Sequence, residues 1–123
     1  SVGDLNKVKE FVGKNAENSV FSDTSAVIKG RKREYYEQLP KGVSKGSALD
    51  KLSKILKIDK GCVFAAGDYY NDMEMLKKAD ISAVPADSPE EVAACADFRA
   101  GSCENGAVAD FIDYLTEIRK GMV

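Results

Sequence analysis

Leu5, Val8, Phe11 and Val12 recur at helical spacing behind Asp4, which predicts a capped amphipathic helix at the start of the chain. Two short extended segments follow, around Ser19 to Phe21 and Ser25 to Ile28. A basic turn, Lys29 to Arg33, leads to a further strand from Glu34 to Leu39, which Pro40-Lys41-Gly42 ends. These elements read as a small α+β unit with too little apolar surface to close a core alone.

The pattern then changes to alternating helix and strand. Ser44 is placed to cap a helix whose apolar positions Ala48, Leu49, Leu52, Ile55 and Leu56 fit a 3.6-residue period. Cys62-Val63-Phe64-Ala65-Ala66 is apolar at every position, which suits a central parallel strand covered on both faces. Asn71 to Ala79 reads as a short helix, and Ile81 to Val84 as another short strand. Ser88-Pro89-Glu90-Glu91 predicts an N-cap serine, proline at N1 and a capping box, opening a helix that runs to about Ala96. A last helix carries Val108, Phe111, Ile112, Leu115 and Ile118 on one face. Such alternation indicates a doubly wound parallel sheet, with only two or three of its strands present.

Composition narrows the chemistry. The 123 residues carry a formal net charge of −2, so broad attraction to nucleic acid is not expected. No apolar run approaches the length of a membrane span, and no signal peptide opens the chain, which together point to a cytoplasmic protein without membrane contact. Three cysteines, Cys62, Cys95 and Cys103, without CxxC spacing argue against a zinc knuckle and a disulfide scaffold. Histidine is absent, which removes Ser-His and Cys-His nucleophiles and His-ligated metals. What remains is carboxylate, lysine, backbone amide and a hard metal ion.

Two segments could use those groups. Gly67-Asp68 stands at the carboxyl end of the buried strand, where open parallel sheets bind ligands. Asn71 and Asp72 follow one helical turn on, so the three side chains can converge on one point. Oxygen donors of this kind suit Mg²⁺. The spacing fits equally well a helix start whose acids serve the macrodipole. Lys45 lies in Gly42-Val43-Ser44-Lys45-Gly46 at the first turn of a helix, a position that favours anions. A phosphate between Lys45 and the local amides would account for it, and so would a solvated lysine in a Gly-rich connection. The segment is not a Walker A loop.

Taken together, Lys45-Gly46 opening a helix, then a buried strand, then Gly67-Asp68-Tyr69-Tyr70-Asn71-Asp72-Met73-Glu74-Met75-Leu76 resembles the C-terminal motifs of the haloacid dehalogenase superfamily, in its Cof-type phosphatase branch. The resemblance continues through Ala83-Val84, Ser88 to Val92 and Ala96-Asp97 to Glu104-Asn105-Gly106-Ala107-Val108. It implies an α/β fold: the C-terminal half of a Rossmann-like core over residues 39–123, preceded by a remnant of an α+β cap over residues 1–38. It implies that Lys45 steadies the nucleophile and the phosphoryl charge, and that Asp68 ligates Mg²⁺. Asn71 and Asp72 would position phosphate, support the metal shell and orient the lysine. The implied substrate is a small phosphorylated metabolite. Tyr69-Tyr70 and Pro85-Ala86-Asp87 depart from the family pattern at the rim of the pocket.

One motif of the family has no counterpart. The Asp-x-Asp that supplies its nucleophile and its general acid/base does not occur; Phe21-Ser22-Asp23-Thr24-Ser25 is the nearest candidate, with Asp23 better read as a turn or cap residue. The expectation is therefore an enzyme fragment, inactive by itself, with an open sheet edge that favours homodimerisation. A non-catalytic domain that binds a phosphate-bearing ligand or a protein partner is the alternative. A receiver-type phosphoacceptor ranks below both, because there the acids precede the lysine.

Overall fold

The computed structural model describes residues 6, 7, 10, 19–28 and 30–121. The chain divides into two units, 1–43 and 44–123. In the first, Asn6, Lys7 and Glu10 are helical, while Asp4, Leu5, Val8, Phe11 and Val12 lie outside the described residues. Two strands follow, β1 (Ser19–Ile28) and β2 (Arg31–Pro40), paired antiparallel from Ser19 opposite Pro40 to Ile28 opposite Arg31. The register corrects two expectations. The two extended segments are one continuous strand, and the basic turn shrinks to the two positions between Ile28 and Arg31, a length typical of tight hairpins. Asp23 stands in mid-strand opposite Tyr36, which is neither a turn, a cap nor the carboxyl end of a parallel strand.

The second unit holds a three-stranded parallel sheet in the order β3 (Phe64–Ala66), β4 (Ile81–Val84), β5 (Phe98–Arg99). Its helices are α1 (Lys45–Ile55), α2 (Met73–Lys78), α3 (Glu90–Ala93) and α4 (Ala107–Gly121). A 3₁₀ turn, Tyr70–Asp72, precedes α2. The two-residue β5 was not anticipated, since Phe98-Arg99 is too short to carry an alternating signal. Its place is held by Phe98 stacking on Tyr114 of α4, with ring centroids 4.2 Å apart.

Packing concentrates where the pattern was densest. Leu76, Val84 and Val92 are almost completely buried, with Met73, Ala93, Cys95 and Ala96 packed around them. Asp97 ties this region together: its Oδ2 accepts from both the amide and the hydroxyl of buried Ser82, at 2.9 and 3.0 Å. The expected capping box at Ser88 does not form. The helix starts one residue later, ends at Ala93, and leaves the Ser88 hydroxyl buried without a protein hydrogen-bond partner.

Elsewhere the apolar faces stay open. β3 is an edge strand rather than a central one, with Phe64 44% exposed and Cys62 exposed instead of in the core. On α1 the amphipathic period is as expected, yet Leu52, Ile55 and Leu56 face solvent. Val108 and Ile112 of α4 are likewise exposed, although Phe111 is buried. A groove of about 430 Å³ runs between Phe64 of β3 and Ile112, Leu115 and Ile118 of α4. Among the described residues no helix is long and apolar enough to cross a membrane.

Candidate active site

Ser44 fixes the start of α1. Its hydroxyl accepts from the Ser47 amide at 3.0 Å, and the Ser47 hydroxyl accepts from the Ser44 amide at 2.8 Å, a reciprocal cap. Lys45 therefore leaves the helix at a defined point in its first turn. Its ammonium meets Asp72 Oδ1 at 2.5 Å, across 27 positions of sequence. A cation that the helix start disfavours is thus stabilised by a carboxylate from another element.

Asp72 is almost fully buried, while the Lys45 side chain is half exposed. The other Asp72 oxygen, Oδ2, accepts from the amides of Asp68 and Tyr69 at 3.0 and 3.2 Å. Burial raises its pKa, but the hydrogen bonds from Lys45 and the two amides outweigh this, and the net shift is downward. Asp72 is thus an ionised strut: one oxygen holds the lysine and the other shapes the loop at the end of β3.

Gly67 makes that shape available. A Cβ there would lie 2.5 Å from Asp72 Cβ and 2.7 Å from its Cγ, so a side chain has no room. The Asp72 side chain fills that space. The Gly67 amide also donates to the Ala83 carbonyl at 3.2 Å, which ties the loop to β4.

Asp68 and Asn71 are exposed on the same loop and turn. Asp68 borders a cleft of about 230 Å³ walled by Ala66, Val84, Pro85, Cys103 and Phe111. Desolvation and the charges of Asp87 and Asp68 raise the Cys103 pKa and keep its thiol protonated, so it is poorly suited to act as a nucleophile. Among the described residues no three acidic, cysteine or histidine side chains gather into a cage for a metal ion. The donor set nonetheless fits a hard cation held in part by substrate: Asp68 offers a free carboxylate, and Mg²⁺ commonly takes only one or two of these, with water and phosphate completing the shell.

Sequence reasoning therefore selected residues that the fold brings together, Lys45 with Asp72 and Asp72 with the Asp68 loop, with Asn71 on the adjoining turn. It did not single out Ser47. Ser47 carried a legible signal, a hydroxyl three residues after Ser44.

The second unit thus joins a parallel sheet, a lysine at a helix start and an acidic loop at the carboxyl end of a strand, an α/β arrangement. Residues 2–112 match the family model for haloacid dehalogenase-like hydrolases, and the chain belongs to that family. It is 40% identical over 72 residues to 5-amino-6-(5-phospho-D-ribitylamino)uracil phosphatase of Escherichia coli, over 58% of this chain and 27% of that protein. A phosphoglycolate phosphatase of Picrophilus torridus is 32% identical over 72 residues, 58% of this chain and 30% of that one. A haloacid dehalogenase-like hydrolase from Bacteroides thetaiotaomicron superposes with a TM-score of 0.69 at 24% identity, covering 93% of this chain and 42% of that one, which shows the shared fold. The chain spans less than a third of the length of these two curated relatives.

Proposed function

We propose that this chain supplies the lysine and magnesium half of a phosphatase site acting on small phosphorylated metabolites. The observation that carries the reading is the Lys45–Asp72 pair set behind an exposed Asp68 at the carboxyl end of β3. Lys45 offers its exposed ammonium flank to a phosphoryl group while Asp72 holds it in place. Asp68 presents the carboxylate for Mg²⁺, and Asn71 offers an amide to a phosphate oxygen. Asp72 serves the metal shell through the loop it shapes, because Lys45 and two amides already occupy its oxygens. When bound, the metal adds positive charge at the transferring phosphoryl group, where positioning and charge stabilisation supply most of the catalysis. The phosphatase names of the two curated relatives support this class of reaction.

In this reading the attacking aspartate, which would carry the phosphoryl group transiently, comes from a strand laid along the open edge of β3, outside the 123 residues. The unit of residues 1–43, rather than 1–38, then belongs to a cap and that of 44–123 to the core, because β2 runs to Pro40. Hydrolysis of para-nitrophenyl phosphate with Mg²⁺ tests the proposal in two polypeptides, this chain alone and a longer one in which an apolar strand ending in Asp-x-Asp precedes it. Turnover is expected only in the longer one, and Lys45→Met should abolish it. Turnover by the chain alone that disappears on Asp23→Ala would overturn the reading.

A further inference from the structure

Gly46 follows Lys45 in the first turn of α1 and is buried. A Cβ at this position would lie 2.7 Å from Glu74 Cγ, 3.0 Å from Glu74 Cδ and 3.0 Å from the Glu74 backbone carbonyl carbon, all in α2. The first two atoms belong to a side chain that can turn aside. The third belongs to the α2 backbone and can retreat only with its helix. Position 46 is therefore where the α1 backbone comes directly against α2, and the separation of packed helices depends on the side chains at such a contact. The ion pair of Lys78 with Asp50 joins the same two helices at 2.5 Å, but both side chains are partly exposed, and a pair of this kind is too weak to fix a spacing.

We propose that Gly46 is a positioning residue: it lets α1 lie against the α2 backbone and so sets the distance over which Lys45 meets Asp72. What that distance serves rests on the phosphatase reading; the positioning itself does not. Lys45 leaves a helix start that the reciprocal Ser44–Ser47 cap holds together, and Asp72 stands in the 3₁₀ turn that leads into α2. A methyl group at position 46 would have to push the two helices apart by several tenths of an ångström to reach an ordinary contact. The capped turn would move as one piece and carry Lys45 with it. The ammonium would then leave the short, charge-assisted range in which it now holds Asp72.

The test uses the 123-residue chain and the amide resonances of Asp68 and Tyr69, which donate to Asp72 and report where it sits. Lys45→Met should shift both resonances, and Gly46→Ala should shift them in the same direction. The effect of Lys45→Met should fall by roughly half or more in the Gly46→Ala background, because the pair it removes is already weakened there. Glu74→Ala deletes Cγ and Cδ and leaves the backbone carbon, so adding it to Gly46→Ala should return the amides part of the way. If Gly46→Ala alone does not fold, the double variant carries the test, with both amides still displaced in the direction of Lys45→Met. Unmoved amides in Gly46→Ala, or in the double variant where it stands in, would overturn the proposal. So would full additivity with Lys45→Met, or no return on adding Glu74→Ala. Those results would leave the phosphatase reading intact, whereas absent turnover in the longer polypeptide alongside the expected shifts would remove that reading and leave the positioning role.

Discussion

Replacing Lys45 by methionine separates the charge of this side chain from its packing, since the two stems are similar in length and apolar character. The variant leaves the buried Asp72 carboxylate with Oδ2 still held by two amides and Oδ1 without its partner. Breaking a fully buried pair costs about 3–5 kcal/mol. Half of the Lys45 side chain is exposed, so water can reach the abandoned oxygen, and the smaller figure for a hydrogen bond to a charged group applies, about 2 kcal/mol. The pH dependence follows from linkage. The folded pKa of Asp72 lies below the ordinary aspartate value, so its contribution is present above that ordinary value and is lost as pH falls through the folded one. Lys45→Met raises the folded value, so the gap between wild type and variant should be full at neutral pH. It should shrink as pH falls through the lowered folded value of the wild type, below which both proteins carry a protonated Asp72. Urea unfolding followed by circular dichroism between neutral and acid pH measures this gap. A difference below about 0.5 kcal/mol at neutral pH, or one that does not change with pH, would refute the argument, because it would place the pair among ordinary surface contacts.

Other substitutions probe the remaining packing. Gly67→Ala should cost about 1–3 kcal/mol through overpacking against Asp72, read as a lower urea midpoint, and should shift the Asp68 and Tyr69 amides as well. Asp97→Ala strands the buried amide and hydroxyl of Ser82 and should cost about 1–3 kcal/mol in the same assay, unlike a surface acid. Leu76→Ala should cost about 2–5 kcal/mol, whereas Leu52→Ala, at an exposed position, should stay within about 1 kcal/mol; equal effects would show that α1 is covered in solution. The open edge of β3 and the apolar groove beside it should drive self-association, seen as a mass that rises with concentration in light scattering.

The parts of the fold that sequence exposed are those governed by local chemistry. Ser44 caps α1 because a hydroxyl at that point has only the amides of the first turn to serve. Periodicity located α4 and β4, where apolar side chains have a face to cover. It misplaced β3, since a wholly apolar run signals burial on both faces but says nothing of whether the covering elements are present. It missed β5, which exists through Phe98 packing on Tyr114 sixteen residues later, and no local pattern encodes a partner at that distance. In the candidate site, Lys45, Asp68 and Asp72 were legible as residue types at suggestive positions. That Asp72 turns inward to bind the lysine, leaving Asp68 as the outward acid, required the backbone geometry of the 3₁₀ turn.

The Asp72 strut has a consequence for how ligands would be received. The groups that hold the loop, Lys45, the Asp72 carboxylate and the Ala83 carbonyl of β4, all belong to the same unit of the chain, so the chain itself supplies the contacts that shape it. Ordering entropy is then lost during folding and not at the moment of capture. Calorimetry of Mg²⁺ or phosphate binding should accordingly register little conformational penalty, and the loop should behave as a rigid receptacle, the same empty as filled.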